Sequence, residues 1–410
     1  MELLSRTGWR LAVGITVASM AIGIPASALA VPGAPGHPGG GDSGAGWSIQ
    51  RSPNPAGAHF SELNAVSCPS KAACTAVGYY NRSTGPTLTL AEAWNGTRWK
   101  IQRSPSRAGA SGSVLQAVSC PSATACSAVG YYYNRAGTRF AMAEARNGSK
   151  WRRQAIPSPH GATDTWLYAV SCTSSAECTA GGAYISRAGT TVALAERWNG
   201  RSWRIQRTPR PAKITQFGAF FGVSCTSPRA CTAAGYYNTG TGDAQPLVEA
   251  WNGMGWRVQK ALPPTGTPGG AFSAVSCTSP RACTATGTSF GTTGGTLAER
   301  WNGKRWKAQA TPDPPNYTTS FSSITLPGAS CSSARACAAV GGYTPGGQPA
   351  TFAESWDGTS WSLQTTPSAA GTVSNILNGV SCTPAQCIAV GAANTTSGLI
   401  VTVAIVSASG

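Results

Sequence analysis

A glutamate, two tryptophans and a glutamine return at fixed spacing along this 410-residue chain. Residues 91–105, AEAWNGTRWKIQRSP, come back as AERWNGRSWRIQRTP from position 195 and as AERWNGKRWKAQATP from position 298. A repeated carboxylate suggests either a metal site or a set of general acids. Six of the fourteen acidic residues occupy this position: Glu92, Glu144, Glu196, Glu249, Glu299 and Glu354.

Sixfold repetition argues against one shared catalytic or metal site. Equivalent positions in packed sheets lie roughly 10 Å apart, which is too far for a small common site. We therefore expect each carboxylate to be buried and to accept hydrogen bonds from nearby donors. The two tryptophans of each copy bury large ring surfaces. The repeated phrase therefore predicts a packing module.

The fourteen cysteines fall into close pairs, which could form disulfides or bind zinc. The three histidines are His37, His59 and His160, and none of them stands at zinc-finger spacing from a pair. Each pair instead flanks a short turn such as PSKAA, so we predict seven local disulfides. The pairs are Cys68/Cys74, Cys120/Cys126, Cys172/Cys178, Cys225/Cys231, Cys277/Cys283, Cys331/Cys337 and Cys382/Cys387.

The N-terminus reads as a secretory signal. Arg6 and Arg10 precede an apolar run that ends in a small-residue cleavage pattern at 28–30. The alternative, a membrane anchor, needs roughly 20 apolar residues, and the run is shorter. We predict a signal peptide over 1–30, a Gly/Pro-rich linker over 31–46, no transmembrane span and a secreted, extracellular protein.

A repeat accounts for the rest of the chain, because the first cysteines of successive pairs lie 51 to 54 residues apart. Asn95-Gly96 between two apolar runs predicts a hairpin turn. Pro105 ends the last strand of its copy, since proline cannot donate to a strand ladder. The first copy contains four predicted strands, at 63–68, 74–80, 88–95 and 98–104.

Alternation in the third strand predicts how the copies pack. Leu90, Glu92 and Trp94 face one side, and Ala91 and Ala93 face the other. The large face of one copy can then nest against the small face of the next. A single copy would leave both of its faces in water, so a closed ring of copies is expected.

The number of copies predicts seven blades. Six copies carry both the glutamate strand and a following tryptophan strand, whereas the seventh stops after its third strand. The missing strand stands at the N-terminus of the domain as GWSIQRSP, where Trp47 and Gln50 keep the offset of Trp99 and Gln102. We predict an all-β fold, a seven-bladed β-propeller over 47–410 whose N-terminal strand completes the last blade.

The repeat resembles a known family. Its small apolar strand ends in Gly78, followed by Glu92, Trp94, Trp99 and Pro105. This pattern is similar to the kelch repeat of propellers like the central domain of galactose oxidase. The resemblance covers 47–410 and implies a propeller of four-stranded blades. It does not imply copper oxidase chemistry, which requires a histidine and tyrosine ligand set.

The predicted binding residues lie on the variable loops between the second and third strands, which open opposite the disulfides. These loops begin with aromatics and carry bases, as in YYNRSTG and YYYNRAG, and Trp166, Tyr168, Phe220 and Phe221 stand near the same face. Flat rings beside arginines suit sugars and anionic groups. The alternative is that the tyrosines cap blade edges. The candidates are Tyr80, Arg82, Tyr132, Tyr133, Arg135, Trp166, Tyr184, Arg187 and Tyr237.

A net charge of +17 favours an anionic partner. We predict a binding module for a carbohydrate or an anionic cell-surface polymer, with no metal or other cofactor, no nucleic acid, and a monomeric state. Two alternatives remain open, a protein–protein interaction scaffold and a glycosidase or lyase with carboxylates at the central mouth. The acids proposed for the enzyme alternative are Glu62, Asp164, Asp243 and Asp313.

Overall fold

The computed structural model describes residues 46–209, 217–239, 244–263, 266–291, 294–315, 324–344 and 349–407. These residues form strands, turns and connecting segments, and they contain no helix. No helix in the described part of the chain could therefore cross a membrane. The predicted signal peptide and nearly all of the predicted linker lie outside the described residues.

The strands follow one another in groups of four. The first strands are β2 (Ala58–Ser70), β6 (Gly112–Ser122), β10 (Asp164–Ser174), β14 (Gly218–Ser227), β18 (Gly269–Ser279), β22 (Ile324–Ser333) and β26 (Thr372–Cys382). The second strands are β3 (Ala73–Arg82), β7 (Ala125–Tyr133), β11 (Glu177–Ile185), β15 (Ala230–Asn238), β19 (Ala282–Phe290), β23 (Ala336–Tyr343) and β27 (Cys387–Thr395).

The other two strands of each group complete an antiparallel sheet. The third strands are β4 (Leu88–Trp94), β8 (Arg139–Asn147), β12 (Thr191–Trp198), β16 (Ala244–Trp251), β20 (Thr296–Trp301), β24 (Ala350–Trp356) and β28 (Ile400–Ser407). The outer strands are β1 (Trp47–Gln50), β5 (Trp99–Gln102), β9 (Lys150–Gln154), β13 (Trp203–Gln206), β17 (Trp256–Gln259), β21 (Trp306–Gln309) and β25 (Trp361–Gln364).

We number the groups as units, from unit 1 (β2 to β5) to unit 6 (β22 to β25), with β26 to β28 and β1 as unit 7. Among the described residues, units 2 to 6 are separate four-stranded sheets, and units 1 and 7 belong to one sheet of eight strands. A single parallel bridge between Phe60 and Ile400 joins those two units. Within unit 7, β1 pairs antiparallel with β28, from Trp47 opposite Ser407 to Gln50 opposite Ala404.

The predicted hairpin between the third and outer strands is present. Trp94 lies opposite Trp99, and the four residues between them make the turn. The side-chain oxygen of Asn95 accepts hydrogen bonds from the backbone amides of Thr97 and Arg98, at 3.1 and 2.9 Å. Gly96 has a φ of 93°, a conformation that favours glycine. The Asn-Gly pair therefore lies in a four-residue turn and not in a two-residue turn.

The disulfide prediction is confirmed, since no cysteine among the fourteen is free and every bond lies within one unit. Each bond joins the end of a first strand to the start of a second strand, across a separation of five or six residues. Each bond therefore fixes one turn rather than linking distant parts of the chain. The bonded pairs are Cys68–Cys74, Cys120–Cys126, Cys172–Cys178, Cys225–Cys231, Cys277–Cys283, Cys331–Cys337 and Cys382–Cys387.

Many of these cysteines are more deeply buried than a pair beside a short turn would suggest. In units 1 to 6 the second cysteine is buried, 2 to 6% exposed, and belongs to an apolar cluster between two sheets. The reason is that this cysteine begins the second strand, which lies inside the sheet. The second cysteine of each of these units therefore belongs to the core, whereas the first cysteine is half-buried in five of the six. The six buried residues are Cys74, Cys126, Cys178, Cys231, Cys283 and Cys337.

The rest of the core also lies between neighbouring sheets, as the alternation predicts. Leu90 and Trp99 of unit 1 belong to a buried cluster with Ile388 of unit 7. Ala91, on the opposite face of unit 1, belongs to a cluster with Leu115 of unit 2. The large face of one unit therefore packs on the small face of its predecessor, and no unit has a core of its own.

A serine hydrogen bond repeats at every junction between units. The serine that precedes the first cysteine of one unit accepts a hydrogen bond from the backbone amide of the matching cysteine in the next unit. The seven bonds measure 2.9 to 3.0 Å: Ser67 to Cys120, Ser119 to Cys172, Ser171 to Cys225, Ser224 to Cys277, Ser276 to Cys331, Ser330 to Cys382 and Ser381 to Cys68. The last of these bonds joins unit 7 to unit 1.

The tryptophan–glutamine offset has a structural role between outer strands. The indole N–H of Trp151 donates to Gln102 in the preceding unit at 2.9 Å. The indole of Trp99 donates in the same way to Gln50 of β1 at 3.0 Å. The N-terminal strand β1 therefore makes the same kind of contact with unit 1 that the outer strand of unit 1 makes with unit 2.

The position of β1 gives a test by truncation. Removing residues 1–53 should lower the melting temperature by roughly 10 °C or more relative to removing residues 1–45. The longer deletion leaves β28 as an open edge and leaves the Trp99 indole without Gln50. Calorimetry of both truncated chains measures the difference. Equal melting temperatures would show that β1 does not stabilise unit 7.

Candidate functional site

The loop face is the end of the units that carries the loops between the second and third strands. In unit 1, Tyr80 and Leu88 pair at this end, whereas Cys74 and Trp94 pair at the other end, beside the disulfide. All candidate binding residues from the sequence belong to the loop end of their strands or to the loops. The structure then divides them into three groups.

The first group packs against the core. Tyr80, Tyr132, Tyr184 and Tyr237 are half-buried, and each contacts a hydrophobic cluster between sheets. Tyr132 also stacks on Phe140, with ring centroids 5.4 Å apart. This placement favours the interpretation that these four tyrosines cap the edges of the units.

The second group is exposed. Arg135 and Arg187 lie in the loops of units 2 and 3, and Arg82 is the last residue of β3 in unit 1. The Arg82 guanidinium is 5.8 Å from the centroid of the Tyr80 ring, within range of a cation–π contact. The loop face therefore presents positive charge next to a capping tyrosine.

The third group is an aromatic cluster across units 2, 3 and 4. Tyr168 stacks on Phe221 with centroids 4.8 Å apart, and Phe221 stacks on Tyr236 at 5.3 Å. Trp166, only 4% exposed, meets Tyr168 edge-on at 6.4 Å, and Tyr133 meets Tyr131 edge-on at 5.4 Å. We define the aromatic cluster as Tyr131, Tyr133, Trp166, Tyr168, Phe217, Phe221 and Tyr236.

A β-bulge in each first strand positions the central rings of this cluster. Strand pairing skips Tyr168 in unit 3 and Phe221 in unit 4, and the skipped side chains contact each other across the two units. Phe220, the neighbour of Phe221, is fully buried in the core instead. Units 1, 2, 5 and 7 place polar residues at the skipped position, namely Asn64, Gln116, Ser273 and Asn378, whereas the pairing in unit 6 skips Leu326 and Pro327.

A glycine opposite the bulge makes this geometry possible. Gly182 pairs with Leu167 next to the bulge, and a Cβ atom there would overlap the carbonyl oxygen of Trp166. Gly78, one of the residues that carry the kelch resemblance, is in the same situation against the carbonyl of Glu62. The glycine is therefore required by close backbone approach.

Charge and hydroxyl groups surround the cluster. The Arg139 guanidinium lies 3.9 Å from the Trp166 ring centroid and forms an ion pair with Asp164 at 3.3 Å. Burial raises the pKa of Tyr168 to about 12 and also raises the pKa values of Tyr131 and Tyr236. Their hydroxyls therefore stay protonated and can both donate and accept hydrogen bonds.

The acids proposed for an enzyme have structural partners where the structure describes them. Glu62 accepts hydrogen bonds from the Tyr79 hydroxyl at 2.9 Å and from the Asn378 amide at 2.8 Å. Asp313 accepts one from the backbone amide of Thr296 at 3.1 Å. Asp164 pairs with Arg139, and Asp243 lies outside the described residues. In the described part of the chain, no group of three or more His, Cys, Asp or Glu residues is arranged to hold a metal.

Comparison with known proteins gives the fold. No protein-family model matches the chain, and no curated protein matches it. Two solved structures of an ulvan lyase from polysaccharide lyase family 25 are similar, one of them bound to -[GlcA(1-4)Rha3S]-. Both are 10% identical to this chain and cover 85% of it and 94% of their own length, with TM-scores of 0.55 and 0.54.

A third similar structure is the β-propeller domain of the Trilobed protease from Pyrococcus furiosus. It is 7% identical, covers 84% of this chain and 95% of its own length, and has a TM-score of 0.49. The ulvan lyases are β-propellers, so their likeness shows a fold of that type. The fold is a β-propeller. The predicted all-β propeller architecture is confirmed to that extent.

The six recurring glutamates lie between sheets and away from the aromatic cluster. All are at most 1% exposed, which confirms the predicted burial. Glu92 and Glu144 accept hydrogen bonds from Ser52 and Ser104 of the preceding outer-strand segments, each at 2.8 Å. Glu196 and Glu249 have no hydrogen-bond partner among the described residues. The expectation that every carboxylate is hydrogen-bonded is therefore wrong for these two.

A change in the preceding segment explains the difference. The position that matches Ser52 is Ile156 before unit 3, and its side chain packs against the apolar cluster there. Before unit 4 it is Thr208, which donates to the carbonyl of Ala193 instead of to Glu249. Burial raises the pKa of Glu92, Glu196, Glu249 and Glu354 to about 8 and that of Glu144 and Glu299 to about 7.

These glutamates predict a protein that is most stable in acid. A carboxyl with a pKa near 4.5 unfolded and about 8 folded contributes stability fully below pH 4.5 and loses it as the pH rises through 8. Between about pH 5 and pH 8, one such group lowers the free energy of unfolding by up to about 4 kcal/mol. Denaturant unfolding across this range should show the decline.

Glu196→Gln should reduce the decline, since the amide has the same shape and does not ionise. Glu177→Gln is the matched control, because Glu177 is a partly exposed acid paired with Arg197 at 2.9 Å. An identical pH dependence in Glu196→Gln and the unmodified protein would contradict the role of burial.

Proposed function

We propose that this protein is a secreted, seven-bladed β-propeller of kelch-like repeats that binds carbohydrate through its loop face. Three contacts support closure of the ring by the N-terminal strand. Ser381 accepts from the Cys68 amide, Gln50 accepts from the Trp99 indole, and β1 pairs with β28. Each of these contacts repeats one found between or within other units. The propeller domain extends over 47–410 in this proposal, following a signal peptide over 1–30.

Seven disulfides support an extracellular location. Disulfides form and persist in oxidising compartments and are rare where thiols are kept reduced. Here every cysteine of the chain is paired, which suits a protein that works outside the cell. The predicted signal peptide would direct this export.

The aromatic cluster is the observation that carries the proposed binding function. Aromatic rings with polar edges suit ligands such as sugars, which have apolar faces and hydroxyl edges. Tyr168 and Phe221 supply partly buried rings, and Tyr131 and the buried Tyr236 supply hydroxyls that stay protonated. Such a combination of apolar surface and a few polar groups is typical of small-ligand sites.

Binding fits the cluster better than acid–base catalysis. A glycosidase needs two carboxyl groups at roughly 5 to 10 Å from each other on either side of the sugar bond. Asp164, two residues before Trp166 in the chain, is paired with Arg139, which neutralises it. The groups gathered at this place are rings and hydroxyls, which recognise a ligand without transferring protons.

The test is a glycan array followed by calorimetry on the best ligand. Tyr168→Ala should weaken binding by about fivefold or more, because a lost ring contact is worth roughly 1 kcal/mol or more. Stacking is insensitive to salt, so the loss should be the same at low and high ionic strength. Tyr343→Ala, which removes a half-buried tyrosine from unit 6, is the matched control and should bind as the unmodified protein does.

Two results would overturn the proposal. One is unchanged affinity in a folded Tyr168→Ala protein. The other is failure of the full chain to bind any glycan on the array.

A further inference from the structure

The outer strands expose a regular pattern of cations and aliphatic residues. In β5, Trp99 is buried, Lys100 and Ile101 are exposed, and Gln102 is half-buried against the next unit. An exposed Arg103 follows directly. Units 2 to 5 also carry a base directly after the tryptophan of the outer strand. The exposed aliphatic residues are Ile49, Ile101, Ile205 and Val258, each 39 to 46% exposed.

The pattern is densest on units 1 to 4, where each outer strand together with the residue that follows it contributes at least two cations. We define the basic outer surface by these exposed residues: Lys100, Arg103, Arg152, Arg153, Arg204, Arg207, Arg257 and Lys260. Indole-to-glutamine bonds from Trp151 to Gln102 and from Trp203 to Gln154, both 2.9 Å, hold the outer strands of units 1 to 3 side by side. Unit 6 has Ser362 and Leu363 at the matching positions and breaks the pattern.

None of these eight cations forms an ion pair among the described residues, although Arg153 lies close enough to the buried Glu144 to favour its charged form. Among the lysines and arginines that the structure describes, Arg139 and Arg197 are the two in ion pairs. The recurring glutamates are sequestered between the sheets. Asp357, an acid at the disulfide end, uses its carboxylate to accept backbone hydrogen bonds from Thr359 and Ser360 in its own turn. The eight cations of the basic outer surface therefore contribute to the net charge of +17 without forming an ion pair among the described residues.

We propose that the basic outer surface is a second binding site, separate from the loop face, for a linear acidic polysaccharide bearing carboxylate or sulfate groups. Two cations on each of four successive units give a flexible polyanion many weak contacts in series, and such contacts add up through multivalency. The proposal does not depend on the aromatic cluster, because the two surfaces use different strands and different chemistry.

Other anionic partners fit the same surface less well. Sites for single-stranded nucleic acid combine cations with aromatic rings on which the bases stack, whereas the exposed positions here carry isoleucine and valine. Membrane-surface segments insert projecting apolar residues such as tryptophan, phenylalanine or leucine. Ile101, Ile205 and Val258 are less than half exposed, so they offer little to insert.

The alternative explanation for these cations is protection of the sheet edges, because lysines and arginines on edge strands prevent sheets from pairing with other molecules. That role requires charge alone. It predicts that a polyanion binds the cations of the outer strands no better than other exposed cations of the protein. Disulfide-turn cations such as Lys71, Arg281 and Arg335 provide the comparison, since they are exposed and carry the same charge.

The experiment measures binding of the full chain to dextran sulfate and polygalacturonate, with neutral dextran as a blank. A triple variant, Lys100→Glu, Arg103→Glu and Arg204→Glu, should lose affinity by at least about tenfold at about 0.1 M salt. Binding of the unmodified protein should fade toward about 1 M salt, where the Debye length falls from about 10 Å to about 3 Å. A second variant, Arg207→Glu, Arg257→Glu and Lys260→Glu, gives an independent reading if the first does not fold.

The control variant reverses the same number of charges in the disulfide turns, with Lys71→Glu, Arg281→Glu and Arg335→Glu. It should retain most of the affinity. Equal losses of affinity in the test and control variants would show that binding depends on net charge alone, and would contradict a binding site on the outer strands. Binding to phosphatidylserine vesicles or to single-stranded DNA, without binding to either acidic polysaccharide, would overturn the choice of partner.

If the variant with Lys100→Glu, Arg103→Glu and Arg204→Glu loses polyanion binding but still binds its ligand on the glycan array, the basic outer surface is separate from the loop face. If Tyr168→Ala loses glycan binding but still binds the polyanions, the loop face alone is affected. The outcome of one proposal therefore does not decide the other.

Discussion

The contact between one sheet and the next is the interaction on which the structure depends. A four-stranded unit has no core of its own, because its large residues are buried only when they meet the alanines of a neighbour. The serine that accepts the cysteine amide adds a directional bond to each of these apolar contacts, seven times over the described chain. Removing any unit would expose two faces, so the repeats must stabilise one another.

This regular frame explains where the chain is free to vary. The glycine opposite each bulge lets two backbones approach closely, and the bulge releases one side chain from the ladder. The released residue can be polar, as in Gln116, or aromatic, as in Tyr168 and Phe221, without disturbing the contacts between sheets. The aromatic cluster arises where two adjacent units both place a ring at this position.

Much of the fold could be predicted from the sequence because it follows from local rules. The order of the four strands, the local disulfides and the two faces of the third strand all come from spacing and alternation. The boundaries were less accurate, since the first strand predicted at 63–68 extends over Ala58–Ser70 and the fourth, predicted at 98–104, covers only Trp99–Gln102. The role of β1 was visible because Trp47 and Gln50 keep the offset of the other outer strands, and the structure pairs β1 with β28. The burial of cysteines such as Cys126 was not visible, because it depends on the sheet of the neighbouring unit.

The candidate site was harder to predict, because it depends on register and on contacts between units. Alternation breaks at a bulge, so the sequence did not show that Tyr168 and Phe221 would stack while Phe220 is buried. The sequence selected Tyr80 and Tyr132 for their position beside the loops, but their rings pack against the sheets. The serine before each cysteine was also missed, although its sevenfold repetition was a signal that could have found it.

The central claim is that the two ends of the chain meet in one blade. Amide hydrogen exchange of β1 (Trp47–Gln50), compared with that of β5 (Trp99–Gln102), tests it most directly, because both strands should occupy the same kind of outer position. A closed ring predicts that the paired amides of the two strands exchange within about tenfold of each other. Amides of β1 that exchange as fast as an unfolded chain, while those of β5 stay protected, would contradict the closure.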